Sequence, residues 1–137
     1  MSSKIQKPLA ILYDFFEKRL YFLSGNSYVL GRKTDDSNPD ISITGNAPKV
    51  SRKHAIIRYD PKTREYFLED YSKNGITVKR KKVANMESKE SSRLEIKLEF
   101  GDKIFLSDYG PLIFDSPDSA ENYKNSEKTS RFMPFEL

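Results

Sequence analysis

The sequence contains no cysteine, which excludes a disulfide framework and any cysteine-ligated metal site. No apolar run approaches the ~18–20 residues that a membrane-spanning helix needs. The N-terminus has a short apolar stretch that acidic residues follow at once, so we do not interpret it as a signal peptide. These absences fit a protein of the nucleus or the cytoplasm.

Glycine and histidine are also scarce. The six glycines are scattered, and no G-x-x-x-x-G-K-S/T pattern of a nucleotide-phosphate loop occurs. The sequence has one histidine, His54, and lacks the G-x-S-x-G pattern that carries the nucleophile of many serine hydrolases. We therefore predict neither a cofactor nor a metal.

Large apolar side chains are plentiful enough for one core. The chain has 137 residues, the size of one domain, with nine Phe and eight Tyr. Its net charge is only +4, but eleven Lys or Arg and four acids lie between Lys49 and Lys82. This basic middle third indicates either a solvated face or a site for an anionic ligand.

Short β-rich runs separated by turn residues recur along the chain. The most regular is LEIKLEF, in which Leu94, Ile96, Leu98 and Phe100 alternate with charged residues, as in a strand with one face on the core. No stretch shows a sustained 3.6-residue apolar stripe. The pattern predicts an all-β fold, an antiparallel β-sandwich or barrel. The other runs are at 9–13, 20–23, 27–32, 40–44, 54–59, 65–70, 76–80, 102–106 and 111–115.

Two segments differ from this pattern. Residues 84–93 are polar, which indicates an excursion between strands, and residues 116–131 are poor in apolar side chains. We therefore expect an N-terminal extension over 1–8, one domain over 9–115 and a flexible tail over 116–137. The final FMPFEL is apolar again and either docks back on the domain or begins a further region.

Three polar motifs lie at predicted strand ends, where loops on a rigid scaffold often carry function. They are Gly31-Arg32, then S-R-K-H from Ser51 to His54, then D-Y-S-K-N-G from Asp70 to Gly75. Each has an ordinary structural explanation: a surface cation, a satisfied histidine or a turn. Together they supply guanidinium, hydroxyl, ammonium and amide groups, which donate hydrogen bonds to an anion.

The order and spacing of the three motifs resemble those of the forkhead-associated (FHA) family. The resemblance covers roughly residues 9–115 and implies an antiparallel β-sandwich of about eleven strands that binds phosphothreonine peptides through loops at one end. It implies that Arg32, Ser51 and Arg52 contact the phosphate, and that Lys73 lies in the phosphate-facing loop. Asn74 would hydrogen-bond the peptide backbone.

The resemblance also implies structural roles for Gly31, His54 and Gly75, with His54 bracing the loop of Ser51. Lys49 lies where family members read the third residue after the phosphothreonine, so a cation there predicts a preference for an acidic residue. Asp35, Asp36 and Asp40 precede Ser51 and would oppose that preference.

The sequence departs from the family pattern after Gly75. Ile76 stands where Thr is usual, and Lys79-Arg80 replaces the usual Asn-Gly turn. We expect a different hairpin after Val78 and an intact site.

Three other functions stay open. A hydrolase using Ser51 and His54, with Asp70 as the orienting carboxylate, would also need an oxyanion hole; with cations beside the serine, anion binding is the simpler explanation. Nucleic-acid binding is favoured by the basic middle third and by the KRKK run at 79–82. An FHA fold that serves only as a scaffold or dimer contact is the third.

Two finer expectations concern partners. YFLSGNSYVLGRK resembles the opening of nibrin-type FHA domains, which bind doubly phosphorylated acidic motifs in DNA-repair partners. The predicted tail contains Thr129, whose phosphorylated form would be a ligand for the same site in cis or in another copy. The predicted partner is thus a phosphothreonine-containing protein in kinase signalling, DNA-damage or cell-cycle responses, in preference to nucleic acid and with no membrane as partner.

Overall fold

The structure is a computed structural model of the chain, and it describes residues 7–80, 87–88, 95–124 and 130–132. Its strands are β1 (Ala10–Asp14), β2 (Arg19–Leu23), β3 (Tyr28–Arg32), β4 (Ile41–Ile43), β5 (Ala55–Asp60), β6 (Glu65–Asp70), β7 (Ile76–Lys79), β8 (Glu87–Ser88), β9 (Glu95–Lys97), β10 (Asp102–Leu106), β11 (Tyr109–Asp115) and β12 (Ser130–Phe132).

The strands form two sheets. One has seven strands in the order β12-β2-β1-β11-β10-β7-β8, and the other has five in the order β4-β3-β5-β6-β9. The predicted β-sandwich is confirmed. Two strand pairs, β3–β4 and β12–β2, are parallel rather than antiparallel, and in each pair the short strand, β4 or β12, lies at the edge of its sheet.

The main core lies between the sheets and is built from alternating residues of the strands. In β5 and β6, for example, Ala55, Ile57, Tyr66 and Leu68 are buried while their neighbours are partly exposed. This alternation is the geometry of a strand with one face on the core.

The LEIKLEF prediction is wrong in one respect. Leu98 is buried and Ile96 packs partly against the core, but Phe100 is 56% exposed, and Leu94 lies outside the described residues. The strand ends at Lys97, because residues 98–102 form a tight turn in which the Asp102 N–H donates to the Glu99 carbonyl at 3.0 Å. The turn breaks the two-residue alternation and directs Phe100 outward.

The structure also differs from the expected flexible tail over residues 116–124. Pro117–Ser119 form a 3-10 turn and α1 (Ala120–Lys124) follows it. Ala120 is buried against the outer face of the seven-stranded sheet, and the Tyr123 ring stacks on Tyr13 with centroids 4.6 Å apart. Ala120 and Tyr123 thus pack this polar segment against the sheet. Further on, the backbone of β12 pairs with β2.

None of the helices formed by the described residues has the length and apolar composition needed to cross a bilayer. The polar excursion at 84–93 contributes β8, which pairs with β7; its other residues lie outside the described part. Residues 81–86 lie there too, so the hairpin expected after Val78 stays a prediction.

Sheet pairing brings the three polar motifs to one end of the sandwich. Leu30 of β3 pairs with Ala55 of β5, and Ala55 pairs with Asp70 of β6. Because both pairs are antiparallel, the C-terminal end of β3, the N-terminal end of β5 and the C-terminal end of β6 lie side by side at one end of the sheet. Arg32 ends β3 beyond this row of paired residues, and the adjoining loops carry Ser51 and Asn74.

Candidate functional site

Gly31 lies directly beneath the loop that carries Ser51. A Cβ atom at Gly31 would lie 1.9 Å from the carbonyl oxygen of Arg52, and real atoms do not approach that closely. The next residue, Arg32, donates its backbone N–H to the Ser51 carbonyl at 3.1 Å. Glycine is therefore required here because two backbones are in contact.

The guanidinium of Arg32 is held by the backbone of the Ser51 loop. Its Nε donates to the Val50 carbonyl at 2.9 Å, and the side chain is half-buried. This contact fixes the direction of the planar guanidinium, and Arg32 is among the residues that line the cavity described below.

His54 is fully buried and joins two of the loops. Its Nδ1 accepts from the Ser51 backbone N–H at 2.9 Å, so the ring proton is on Nε2, which donates to the Gly75 carbonyl at 3.0 Å. Burial lowers the pKa of His54 from its ordinary value, although the Gly75 carbonyl acts in the opposite direction. The ring is therefore neutral at physiological pH and acts as a brace.

This geometry does not form a hydrolase triad. The ring of His54 meets the backbone of Ser51, whereas the Ser51 hydroxyl accepts from the Lys73 backbone N–H at 3.3 Å. Asp70 Oδ1 accepts from the N–H and the hydroxyl of Ser72, at 2.8 and 2.6 Å. Among the described residues, no cluster of His, Asp or Glu could hold a metal ion.

The third loop is a tight turn closed by its own side chains. The Ser72 Oγ, held by Asp70, accepts from the Gly75 N–H at 2.8 Å. Gly75 has φ +92°, a conformation that glycine adopts without strain. The turn presents Lys73 and Asn74 toward the loop of Ser51.

Three successive contacts join the loop of Ser51 to the loop of Lys73 and Asn74. Asn74 Nδ2 donates to the Lys49 carbonyl at 3.0 Å. The second contact, in the middle, is the hydrogen bond that the Lys73 N–H donates to Ser51 Oγ. At the other end the Lys53 ammonium lies over the Tyr71 ring, 4.7 Å from its centroid.

A cavity of about 710 Å³ lies between these loops and the end of β3. Five cations and a single acid line it, so it is suited to an anion. The lining residues are Arg32, Asp36, Ser37, Pro48, Lys49, Val50, Ser51, Arg52, Lys53, Tyr71, Ser72, Lys73 and Asn74.

The structure brings together all six residues predicted to bind the ligand, namely Arg32, Lys49, Ser51, Arg52, Lys73 and Asn74. The three residues predicted to be structural, Gly31, His54 and Gly75, make the backbone contacts that hold the loops.

Sequence reasoning gave no role to Lys53 and Tyr71, two lining residues whose side chains contact each other. Both lie inside the motifs, between Ser51 and His54 and between Asp70 and Ser72, and position within a motif was the available signal. Of the three acids expected to oppose an acidic ligand, Asp36 lines the cavity. Asp40 instead accepts from the Val29 N–H at 2.8 Å, and Asp35 is not among the lining residues.

The KRKK run does not contribute four free cations. Arg80 pairs with Asp102, with Nε 2.9 Å from Oδ1, and also donates to the Lys97 carbonyl. The Lys79 ammonium lies over the Phe105 ring, and Lys81 and Lys82 lie outside the described residues.

Comparison with known proteins shows the family of the chain. The FHA domain family model matches residues 28–104, more than half of the sequence, and the chain belongs to the FHA domain family. Members of this family are interaction modules rather than enzymes and are known for binding phosphopeptides.

Curated relatives match over part of their length. FHA domain-containing protein FHA1 of Arabidopsis thaliana is 33% identical over 89 residues, 62% of this chain and 35% of the relative. Transcriptional activator FHA1 of Nicotiana tabacum is 33% identical over 89 residues, 62% of this chain and 42% of the relative. The chain thus spans well under half the length of these relatives.

Solved structures share the fold. The FhaA FHA domain, crystallised with the intracellular domain of Rv3910, is 29% identical with TM-score 0.55, over 77% of this chain and 98% of that one. The FHA domain of human APLF, in complex with an XRCC1 bisphospho peptide, is 18% identical with TM-score 0.61, over 79% and 98% of the two chains.

Proposed function

We propose that this chain binds phosphothreonine-containing peptides of partner proteins in the cavity between its two loops and the end of β3. The observation that carries the proposal is the convergence on one strongly basic cavity of Arg32, from the end of β3, and of Ser51 and Asn74, from two separate loops. No covalent step is involved, and the recognition is reversible.

Each group has a distinct part in binding. Phosphorylation gives a threonine about −1.5 to −2 charges and three acceptor oxygens. Arg32, already aligned by Val50, donates to these oxygens, and the Ser51 hydroxyl can donate its proton because its oxygen accepts from Lys73. Arg52 and Lys73 add positive charge at the cavity wall.

Asn74 holds the backbone of the peptide. One N–H of its amide is used by the Lys49 carbonyl, which fixes the side chain in place. The amide oxygen and the second N–H remain to pair with a peptide group. Because these donors are ordered before the ligand arrives, binding costs less side-chain entropy.

The proposal is tested by isothermal titration calorimetry with an oriented phosphothreonine peptide library and its dephosphorylated form. A hydrogen bond to a charged group contributes roughly 1.5–3 kcal/mol, so we expect Arg32→Ala to weaken binding at least tenfold. Lys62→Ala is the control, because Lys62 is exposed beyond the far end of β5. We also expect phosphothreonine to bind better than phosphoserine.

Other results would replace this proposal with one of the alternatives. A loss below threefold on Arg32→Ala, with the variant folded, would count against the site. Peptide binding that does not depend on phosphorylation would favour nucleic acid as the ligand if the protein also binds nucleic acid. In that case the plot of log affinity against log salt concentration should have a slope of about −0.7 to −0.9 per phosphate contacted. Partner binding that survives both dephosphorylation and Arg32→Ala would indicate a scaffold.

The cellular setting is a further part of the proposal. We infer a nuclear role in signalling or repair, supported by the relative named a transcriptional activator and by the APLF structure with an XRCC1 peptide. Imaging of the tagged protein tests it, and exclusion from the nucleus would contradict it. The reported relatives carry other names than nibrin, so the nibrin-type resemblance stays a prediction.

Self-association through phosphorylated Thr129 also stays a prediction, because that residue lies outside the described part of the chain. Analytical ultracentrifugation with and without kinase treatment tests it: a sedimentation coefficient unchanged by phosphorylation, at concentrations above the peptide Kd, would argue against an intermolecular contact.

A further inference from the structure

A second groove, which we call the Phe100 groove, opens at the end of the sandwich opposite the basic cavity. The C-terminal end of β5 and the N-terminal end of β6 border it, whereas the basic cavity lies at the other ends of these strands. Its volume is about 410 Å³, and the proposed phosphopeptide site does not use it. The apolar side chains of its wall are Leu9, Tyr59, Tyr66, Leu98, Phe100 and Phe114.

The wall of the Phe100 groove combines buried and exposed apolar side chains. Leu98 and Phe114 are buried, whereas Leu9 is 41% and Phe100 is 56% exposed. The Phe100 ring stacks on Phe114 with centroids 5.6 Å apart, so it stays at the groove. Large apolar side chains that water contacts around a concave surface favour a further segment that covers them.

The end of strand β2 borders this groove. Leu9 donates its N–H to the Leu23 carbonyl at 2.7 Å, and the Tyr66 hydroxyl donates to the Ser24 carbonyl. Both donors belong to residues of the groove wall. A strand that runs beside β2 in the same direction therefore points toward the groove.

Strand β12 is such a strand. It pairs in parallel with β2, and Phe132 at its end lies opposite Tyr21. β2 continues for two more residues to Leu23, which pairs with Ala10 at the start of β1. The sequence that follows Phe132 thus starts beside β2 and is directed to the end of the sandwich that has the Phe100 groove.

The groove lies within reach of residues 133–137. From Phe132 to Leu9 the path is three residues along β2, about 10 Å, and two strand spacings across the sheet, about 10 Å, or roughly 14 Å in all. Five residues span up to about 17 Å when they are extended. The rim at Leu9 can therefore be reached without displacing β12.

The composition of residues 133–137 suits an apolar groove. The segment reads MPFEL and has three large apolar side chains in five residues. Pro134 has no N–H for pairing with β2, which favours departure of the chain from the sheet at that point. Residues 1–6, MSSKIQ, also precede the groove wall in sequence, but four of the six are polar. The C-terminal segment is therefore the better occupant.

The charges at the rim agree with this choice. Lys97 pairs with Glu65 at 3.2 Å, whereas Arg64, which is exposed and also lines the groove, forms no ion pair with another residue of the described ranges. Glu136 is the acid of MPFEL and complements Arg64, while the charged residue of MSSKIQ is Lys4. An exposed ion pair adds little affinity, but like charge at the rim disfavours the N-terminal segment.

We propose that residues 133–137 cross the end of the sandwich and dock in the Phe100 groove of the same chain, with Phe135 and Leu137 against its apolar wall. Docking covers Phe100, holds β12 at the edge of its sheet and leaves the basic cavity at the other end open. The inference does not depend on the proposed function.

Disulfide trapping tests the contact, because the chain has no cysteine of its own. Glu136→Cys is combined with Glu65→Cys or Glu99→Cys at the groove, and with Asp108→Cys, in the turn beside Gly75, as the control. The 137-residue chain is oxidised with glutathione disulfide at low protein concentration. Mass spectrometry and non-reducing electrophoresis follow the internal bond. We expect at least one groove pair to form at least fivefold faster than the control pair.

Chain length alone gives the opposite order of rates. Residues 108 and 136 are closer in sequence than the residues of either groove pair, so an undocked segment would close the control loop fastest. In concentrated urea, where the groove is lost, the control pair is therefore expected to form first.

Melting temperatures give a second, independent measure. Phe135→Ser is expected to lower the melting temperature by at least about 2 °C, because burial of an aromatic ring is lost. Ile5→Ser, the matched change in the N-terminal segment, is expected to shift it by less than about 1 °C. In a Phe100→Ser background the effect of Phe135→Ser is expected to fall by half or more, because the two side chains are in contact.

Each outcome supports or contradicts the inference. Faster trapping at the groove, with coupling between positions 100 and 135, supports it. Trapping no faster than the control, or a Phe135→Ser variant that melts with the unsubstituted chain, contradicts it. Groove disulfides that form only between two chains would assign the groove to a second copy, and a loss with Ile5→Ser but not with Phe135→Ser would assign it to the N-terminal segment. Either result overturns the inference.

Discussion

At the scale of residues, Gly31 does not accommodate a side chain, because the backbone carbonyl of Arg52 occupies the place that a Cβ atom would need. We predict that Gly31→Ala lowers the free energy of unfolding by about 1–3 kcal/mol, the usual cost of overpacking, and weakens phosphopeptide binding as the loop shifts. Urea unfolding and calorimetry measure the two effects.

The control for this substitution is Gly45→Ala, where a Cβ would meet only the end of the Glu17 side chain, at 3.2 Å. Equal losses at Gly31 and Gly45 would show that contact with the Arg52 backbone is not what selects glycine.

The buried, neutral His54 makes stability depend on pH. Its folded-state pKa is below the ordinary 6.5 because of burial. Above pH 6.5 both the folded and unfolded chains are neutral there, and the stabilisation is complete. As pH falls below 6.5 the unfolded chain takes up a proton first, so the free energy of unfolding decreases until pH passes the folded-state pKa.

His54 is the only histidine, so one imidazole signal reports it in an NMR titration. We expect the folded protein to titrate below 6.5 and the urea-unfolded chain near 6.5. Asp14 has the opposite effect on the pH dependence of stability. Burial raises its pKa, so the folded chain takes up this proton before the unfolded chain does as the pH falls. A folded-state His54 pKa at or above 6.5 would contradict the bracing role.

At the scale of elements, the ion pair between Arg80 and Asp102 links the end of β7 to the start of β10. Its side chain is 15% exposed and that of Asp102 is 1% exposed. Removing one partner leaves a buried charge uncompensated, so we predict that Arg80→Ala lowers the free energy of unfolding by roughly 3–5 kcal/mol.

The neighbouring Lys79 is exposed, and Lys79→Ala is expected to cost below about 1 kcal/mol, the size of an exposed cation–π contact. Chemical denaturation of both variants checks the difference. Similar costs for the two would mean that Arg80 belongs functionally to the basic run, as the sequence suggests, and not to the fold.

Two elements show how far sequence pattern reaches. The runs at 54–59 and 65–70 were predicted to be strands, and the structure has β5 and β6 there, paired along their full length within one sheet. The alternation in LEIKLEF fails at Phe100, because a turn closed by Asp102 and Glu99 ends the strand early. The tail was expected to be flexible on its composition, which does not reveal that Tyr123 meets Tyr13 across 110 positions of sequence.

At the scale of the whole molecule, binding at one end should stabilise the entire sandwich. A ligand that binds only the folded state stabilises it by about 2.7 kcal/mol at 100 times its Kd. We predict that a phosphothreonine peptide at that concentration raises the melting temperature, and that the same concentration leaves the Arg32→Ala variant nearly unchanged. Differential scanning calorimetry measures both, and the unphosphorylated peptide is the control.

The sequence by itself determined the class of fold, the three motifs and their chemistry, because alternation of apolar residues and the positions of glycine and polar side chains are local properties. Only the tertiary structure decided how the motifs meet. Antiparallel pairing of β3, β5 and β6 brings them to one edge, and the Gly31 contact seats one loop on another. Which cations face the cavity, and that Arg80 is used inside the fold, depend on residues distant in sequence, and no local pattern records those distances.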